Sequence, residues 1–134
     1  MKILFYCEAT KSTGIGHLAR CYNIADFIKE NYKIDVVITG NLDLTFIPNK
    51  YYKYLDKEYD IYGNNYDAIV FDSYSKKEYN KIDDLNKIKI SIDDVEVFDY
   101  QNWDLTINFR FKESYKKYKS KNQVTGLDYF PVNN

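Results

Sequence analysis

The sequence is poor in the residues from which most metal centres and disulfide frameworks are built, since its 134 residues include one histidine and two cysteines. Cys7 and Cys21 match no metal-ligand spacing and no disulfide-rich pattern, so a reducing, cytoplasmic compartment is expected. Both cysteines lie in apolar segments and are expected to be buried as small hydrophobic residues. We therefore expect no metal site.

Long apolar runs and an excess of one charge are also missing. No apolar run approaches the roughly 18 residues that a membrane span requires. The 19 basic and 20 acidic residues nearly cancel, which argues against nucleic acid or an anionic membrane as the main partner. The N-terminus leads from a short strand into a polar loop and so does not resemble a signal peptide. A single domain over residues 1–134 is expected, long enough to bury its own core.

Short apolar segments alternate with amphipathic ones along the chain. Continuous apolar runs predict strands buried on both faces. These strands are Lys2–Cys7, Ile34–Thr39, Ala68–Asp72, Ile88–Ile92 and Leu105–Ile107, with Tyr51–Leu55 as a further short candidate. The alternation predicts an α/β fold, a Rossmann-like open parallel sheet flanked by helices.

Two segments have helical periodicity. From His17 to about Asn31 the apolar positions recur at helical spacing; they are Leu18, Cys21, Ile24, Ala25, Phe27 and Ile28. A second helix is predicted after Ser75, which forms a capping-box pattern with Glu78 and precedes an apolar stripe of Tyr79, Ile82 and Leu85. The basic stretch Lys112–Lys121 is expected to be a solvated helix or linker with a charged surface.

Polar residues end the predicted strands. Because ligands of open parallel sheets bind at the carboxyl ends of the strands, these residues are expected to line one rim with the glycine loop. They are Glu8, Asp72, Asp93, Asp94 and Asn108. The three aspartates also fit turn or cap positions, which favour Asp on backbone grounds. Adjacent residues of a strand point in opposite directions, so the Asp93–Asp94 pair predicts no metal site.

The most informative stretch is the loop Ser-Thr-Gly-Ile-Gly-His-Leu-Ala-Arg at residues 12–20. Gly14 and Gly16 allow the backbone to approach a ligand closely, and the following helix begins with unpaired, partly positive N–H groups. Gly14-x-Gly16-x-x-Ala19 formally matches a dinucleotide fingerprint. However, six residues separate it from the first strand and no acidic residue ends the second strand, so no nicotinamide or flavin cofactor is expected. No Gly-Lys-Ser/Thr follows, which excludes a Walker loop.

The strand, the polar loop and Gly-x-Gly-His-x-x-Arg together resemble the N-terminal domain of the nucleotide-sugar hydrolase family of pseudaminic acid biosynthesis. That family is built like GT-B glycosyltransferases, and related spore-coat polysaccharide proteins share the pattern. The resemblance continues in order along the chain. Its further landmarks are Ile69–Tyr74, Ile90–Asp94, Asp104–Asn108 and Gly126-x-x-Tyr129.

The resemblance implies that the chain acts on a nucleotide sugar, from which the family releases UDP; the family's sugar is a 2,4-diacetamido-trideoxy sugar. His17 would position or deprotonate the attacking water. The helix N-terminus disfavours imidazolium and so helps to keep that ring neutral and able to accept a proton. Arg20 lies one turn further on the same face and would hold loop or substrate oxygens.

The resemblance also implies substrate-binding roles for the residues around His17. The backbone N–H groups of Gly14, Ile15 and Gly16 would meet sugar or phosphate oxygens. Tyr74 and Asn108 would hydrogen-bond the sugar. Asp72 would either do the same or brace the loop.

The family carries a second domain that holds most of the UDP-binding residues, and residues 1–134 are expected to contain only the first. Alone, this domain is expected to bind a nucleotide sugar weakly and to hydrolyse it poorly. The sequence departs from the family at Ser75, where glycine is frequent, and at the loop opening, residues 8–11. Two alternatives stay open: a non-catalytic domain that binds a sugar or a protein, and one subunit of a split glycosyltransferase.

Overall fold

The computed structural model describes residues 1–12, 14–40, 45, 47–52, 54, 65–93, 98–108 and 118–125. These residues include six strands: β1 (Lys2–Glu8), β2 (Lys33–Thr39), β3 (Ala68–Asp72), β4 (Ile88–Asp93), β5 (Leu105–Asn108) and β6 (Gln123–Thr125). They also include the helices α1 (Gly16–Ile28) and α2 (Lys76–Asp83) and a short 3₁₀ helix, Asn49–Tyr52. The strands form one sheet in the order β2-β1-β3-β4-β5-β6, and every pairing is parallel. The predicted Rossmann-like open α/β sheet is confirmed.

The two faces of the sheet carry separate apolar layers. Because side chains alternate along a strand, Phe5 of β1 joins the layer that α1 covers, while Tyr6 joins the layer that α2 covers. From α1, Leu18, Cys21 and Ala25 enter the first layer. Both faces of β1 are therefore buried, which explains its continuous apolar sequence.

The strand order reverses at β1. Strand β1 lies between β2 and β3. After β1 the chain crosses to β2 on one side, and β3 to β6 then follow in order on the other side. Such a reversal of strand order is where open α/β sheets bind ligands, at the carboxyl ends of the strands. In the β1–β3 register Cys7 lies opposite Asp72, which places Asp72 beside the loop that follows β1.

Half of the predicted capping box is present at α2. The Ser75 hydroxyl accepts a hydrogen bond from the Glu78 backbone N–H at 3.3 Å. The second bond of a capping box, from the Ser75 N–H to the Glu78 carboxylate, is replaced by two others. The Ser75 N–H donates to the Ser73 hydroxyl at 3.0 Å, and the Glu78 carboxylate accepts from the Tyr6 hydroxyl. Tyr79 and Ile82 are buried as predicted.

Several local predictions are corrected by the structure. Phe27 was expected on the buried stripe of α1 but is 86% exposed. It lies two residues after buried Ala25, and at 3.6 residues per turn this places it on the opposite side of the helix. The helix ends at Ile28 rather than near Asn31. Tyr51 lies in the 3₁₀ helix and not in a strand, because its N–H bonds to the Pro48 carbonyl at 3.0 Å.

Strand β6 was not predicted, since three polar-flanked residues give no periodic signal; it pairs with β5 at the edge of the sheet. The predictions for Asp94, for residues 53 and 55, for residues 112–117 of the basic stretch and for Gly126–Pro131 lie outside the described residues. In the part of the chain that the structure describes, no helix combines the length and apolarity needed to cross a membrane.

Candidate active site at the end of strand β1

The glycine loop reverses the chain between β1 and α1. Gly14 has a φ of +69°, in the region that favours glycine, and its N–H donates to the Thr10 carbonyl at 2.8 Å. Ile15 precedes α1 as its N-cap and makes no side-chain cap hydrogen bond. Isoleucine has no acceptor to offer, so it contributes packing, not capping, at this helix N-terminus. After this loop α1 begins, with Gly16 and His17 as its first two residues.

His17 is buried between two carboxylates. Its Nδ1 lies 2.5 Å from Asp72 Oδ1. A carboxylate can only accept, so Nδ1 carries the hydrogen of this bond. The other ring nitrogen, Nε2, faces Glu8 Oε2 at 3.7 Å. The ring also meets Tyr74 edge-to-face, with the ring centroids 4.4 Å apart.

Arg20 fixes the carboxylate that holds the histidine. Its Nε donates to Asp72 Oδ2 at 2.9 Å and its Nη2 donates to Oδ1 at 2.7 Å. This two-point contact is the strong, geometrically specific form of an arginine–carboxylate pair. Nη2 is also 2.7 Å from His17 Nδ1, but the Nδ1 hydrogen already points to Asp72, so we assign no hydrogen bond there. Arg20 thus restrains Asp72 and shares a helix face with His17, as predicted.

Two carboxylates and one guanidinium surround the His17 ring. Glu8 and Asp72 carry two negative charges and Arg20 one positive charge. All three flank a ring that is 3% exposed. Glu8 Oε2 has no hydrogen-bond partner among the described residues, although it is buried. An unpaired buried carboxylate oxygen is unfavourable in free energy. This oxygen lies beside His17 Nε2, the ring nitrogen that does not contact Asp72.

Asn108 belongs to a second cluster at the ends of β4 and β5. Its side chain has no exposed surface, and its Nδ2 donates to the Tyr118 hydroxyl at 2.8 Å. That hydroxyl donates in turn to Asp93 Oδ2 at 2.8 Å. Tyr100 packs against Tyr118, and burial, followed by the Asp93 charge, raises the pKa of Tyr100. The contact of Asn108 with a sugar stays a prediction.

Tyr118 is a buried residue that the sequence pattern did not identify. The surrounding stretch was expected to be a charged surface, yet Tyr118 is 5% exposed and completes the second cluster. The neighbouring Lys119 and Lys121 are exposed. Because lysines dominate the composition of this segment, only the tertiary contacts with Asp93 and Asn108 identify the buried position.

The two thiols lie in the apolar layer that α1 covers. Cys7 and Cys21 are free and fully buried, as predicted. Burial raises the pKa of Cys21 well above its usual range, and its hydrogen bond with the Cys7 thiol raises it further. A neutral, buried thiol is a packing group and not a nucleophile.

The described residues contain no group of three or more His, Cys, Asp or Glu side chains placed to hold a metal ion. Comparison with known proteins returned no matching family, no matching curated protein and no matching solved structure.

The two glycines of the loop are expected to respond differently to alanine. Gly14→Ala should lower the free energy of unfolding by about 1–3 kcal/mol because φ is +69° there. Gly16→Ala should leave that free energy unchanged or raise it by up to about 1 kcal/mol, since its φ is outside the positive region and a Cβ meets nothing within 4 Å. Urea unfolding of both variants measures the difference. Equal losses would contradict this account of the loop.

Proposed function

We propose that the chain is the N-terminal half of a nucleotide-sugar hydrolase or GT-B-type glycosyltransferase in which His17 is the general base. A water or a sugar hydroxyl attacks the anomeric carbon of a UDP-sugar, and UDP leaves with the electron pair of the broken C–O bond. The proton of the nucleophile passes to His17 Nε2. The observation that carries the proposal is the Asp72–His17 hydrogen bond at the point where the strand order reverses.

The arrangement of three side chains supports this role. Asp72 accepts the Nδ1 hydrogen and so leaves Nε2 with a lone pair in the neutral ring. Arg20 holds Asp72 at both oxygens, which restricts rotation of the carboxylate. A base oriented by a third group is the general arrangement of an activated nucleophile site, and the carboxylate also stabilises the imidazolium that forms. Such proton transfer contributes about 10²- to 10⁴-fold to a rate.

The remaining groups of the rim suit a sugar nucleotide. Ile15 and Gly16 precede or begin α1, where N–H groups favour phosphate or sugar oxygens, whereas the N–H of Gly14 already donates to the Thr10 carbonyl. Tyr74 covers one side of His17. We assign nucleotide binding mainly to a second domain, in line with the family that the sequence resembles. The free thiols Cys7 and Cys21 support a cytoplasmic location, since reducing compartments preserve them.

The test is an assay of UDP release by the chain joined to, or mixed with, a C-terminal nucleotide-binding domain of the resembling family. His17→Ala is expected to lower kcat by about 10²- to 10⁴-fold. Phe27→Ala is the matched control, because Phe27 lies on the same helix and is 86% exposed. Circular dichroism confirms that each variant is folded. A His17→Ala variant as active as the unaltered protein would contradict the proposal.

One observation favours a second candidate, a domain that binds a sugar without turning it over. His17 is only 3% exposed, which suits a residue that supports the loop without acting as a base, so that a sugar would be bound at the rim but not turned over. Titrations with UDP-sugars and free sugars separate the two candidates. Measurable sugar affinity with no UDP release, even with the C-terminal domain present, would favour the binding domain.

A further inference from the structure

Glu8 is the one member of the site whose chemistry the proposed base does not use. It ends β1, is 8% exposed, and its Oε2 has no hydrogen-bond partner among the residues described. The atom faces His17 Nε2 at 3.7 Å. This separation is longer than a hydrogen bond, for which about 3.2 Å is the upper limit. Glu8 and His17 are therefore close but not bonded to each other.

The two facing atoms are both acceptors. Asp72 holds the Nδ1 hydrogen, so Nε2 of the neutral ring presents a lone pair, and a carboxylate oxygen can only accept. Two acceptors turned toward each other in a buried site are unfavourable unless a donor lies between them. A donor with two hydrogens satisfies both of them at once.

We propose that Glu8 and His17 together hold the attacking water and so select water over an alcohol as the nucleophile. This inference rests on the proposed function, and it assigns the chain to the hydrolases rather than the transferases. His17 Nε2 and Glu8 Oε2 are 3.7 Å apart. A water that lies about 2.8 Å from each of them therefore has an acceptor–water–acceptor angle of about 80°. Because the H–O–H angle of water is about 104°, each hydrogen bond is bent by roughly 10°, within the range of good geometry, and the lone pairs point away from both side chains.

The reaction balances with these two residues. The water oxygen forms the new bond to the anomeric carbon while the C–O bond to UDP breaks, and UDP takes the electron pair. One water proton moves to His17 Nε2. The other stays on the new hydroxyl, hydrogen-bonded to Glu8 Oε2. An alcohol has a single hydroxyl hydrogen and would leave one buried acceptor unpaired, a penalty that corresponds to about 10- to 100-fold discrimination.

The first test measures how turnover divides between water and an added alcohol. UDP-sugar is hydrolysed by the chain together with the added C-terminal nucleotide-binding domain in aqueous buffer that contains methanol, and the ratio of free sugar to methyl glycoside is determined. In Glu8→Gln the side-chain amide donates to the nucleophile oxygen, so an alcohol becomes fully paired and water does not. The hydrolysis rate should fall about 10²-fold and the methyl glycoside share should rise at least about 10-fold.

Glu78→Gln is the matched control, since Glu78 is another partly buried carboxylate and accepts from the Tyr6 hydroxyl. Its product ratio should equal that of the unaltered protein. Because the ratio counts only molecules that turn over, a loss of folded protein does not change it. An unchanged ratio in Glu8→Gln, with UDP release still dependent on His17, would overturn the inference and leave the proposed function standing.

The second test needs no turnover. The chain has one histidine, so the imidazole signals in long-range ¹H–¹⁵N spectra come from His17 alone. Its ring lies among the side chains of Glu8, Asp72 and Arg20. We expect a hydrogen on Nδ1 and none on Nε2 at the assay pH, and a high-resolution crystal structure should show a water bonded to Nε2 and Glu8 Oε2. An Nε2–H bonded directly to Glu8 would overturn the inference. The expected tautomer and water without any UDP release would instead count against the proposed function.

Discussion

Replacing Asp72 with asparagine is expected to lower UDP release about 10²- to 10⁴-fold, as much as replacing His17 itself. Asp72 accepts from His17 Nδ1 and from two nitrogens of Arg20. The asparagine amide has only one oxygen. If its NH₂ group faces Arg20 Nε, two hydrogen-bond donors face each other and the contact with Arg20 Nε is lost. If it faces His17, it donates to Nδ1, and the ring hydrogen moves to Nε2, where the base is needed.

The loss is expected to be non-additive. A His17→Ala/Asp72→Asn double variant should be no slower than either single variant, because both changes remove the same proton acceptor. Asp67→Asn is the control: it lies just before the amino end of the same strand, where Asp67 Oδ2 accepts from the Lys2 N–H at 2.9 Å. Rates are expressed per folded molecule, since breaking the buried pair also costs about 3 kcal/mol or more. Two independent, multiplying losses would contradict a shared role.

Replacing Tyr118 with phenylalanine is expected to lower the free energy of unfolding by about 2–3 kcal/mol. The hydroxyl donates to Asp93 Oδ2 and accepts from Asn108 Nδ2, and all three residues are at least nine-tenths buried. Phenylalanine keeps the ring but removes both hydrogen bonds, so a buried carboxylate loses one donor. Urea unfolding followed by circular dichroism measures the effect.

Tyr32→Phe is the matched control for this stability effect. Tyr32 is 40% exposed, and its variant should differ from the unaltered protein by less than about 0.5 kcal/mol. A stability change as small as that of Tyr32→Phe would show that the second cluster does not stabilise the fold.

Local patterns were sufficient wherever neighbours in the chain decide the outcome. Strand β3 runs from Ala68 to Asp72, as its apolar sequence predicted. Ser75 caps α2, and Arg20 reaches the site of His17 because it follows His17 by three positions on the same helix. Phe27 is the exception within α1, since the sequence shows an apolar residue but does not specify which side of the helix meets the sheet.

The composition of the site depended on which strands lie side by side. The sequence offered several carboxylates at strand ends, and none was distinguished as the partner of His17. The parallel register of β1 and β3 decided this, because it sets Cys7 opposite Asp72 and brings together side chains 55 residues apart. The register of β4 and β5 likewise pairs Asp93 with Asn108 and places both under Tyr118.

From the sequence alone, β1 to β5, α1 and α2 were predicted in order, together with the glycine turn and the histidine at the start of α1, whereas β6 was not. These features follow from backbone conformation and from contacts within one helical turn. The tertiary structure alone decided that Asp72 orients His17, that Arg20 holds Asp72 and that Glu8 faces the free ring nitrogen. Such choices depend on strand pairing over long separations, which periodicity along the chain does not encode.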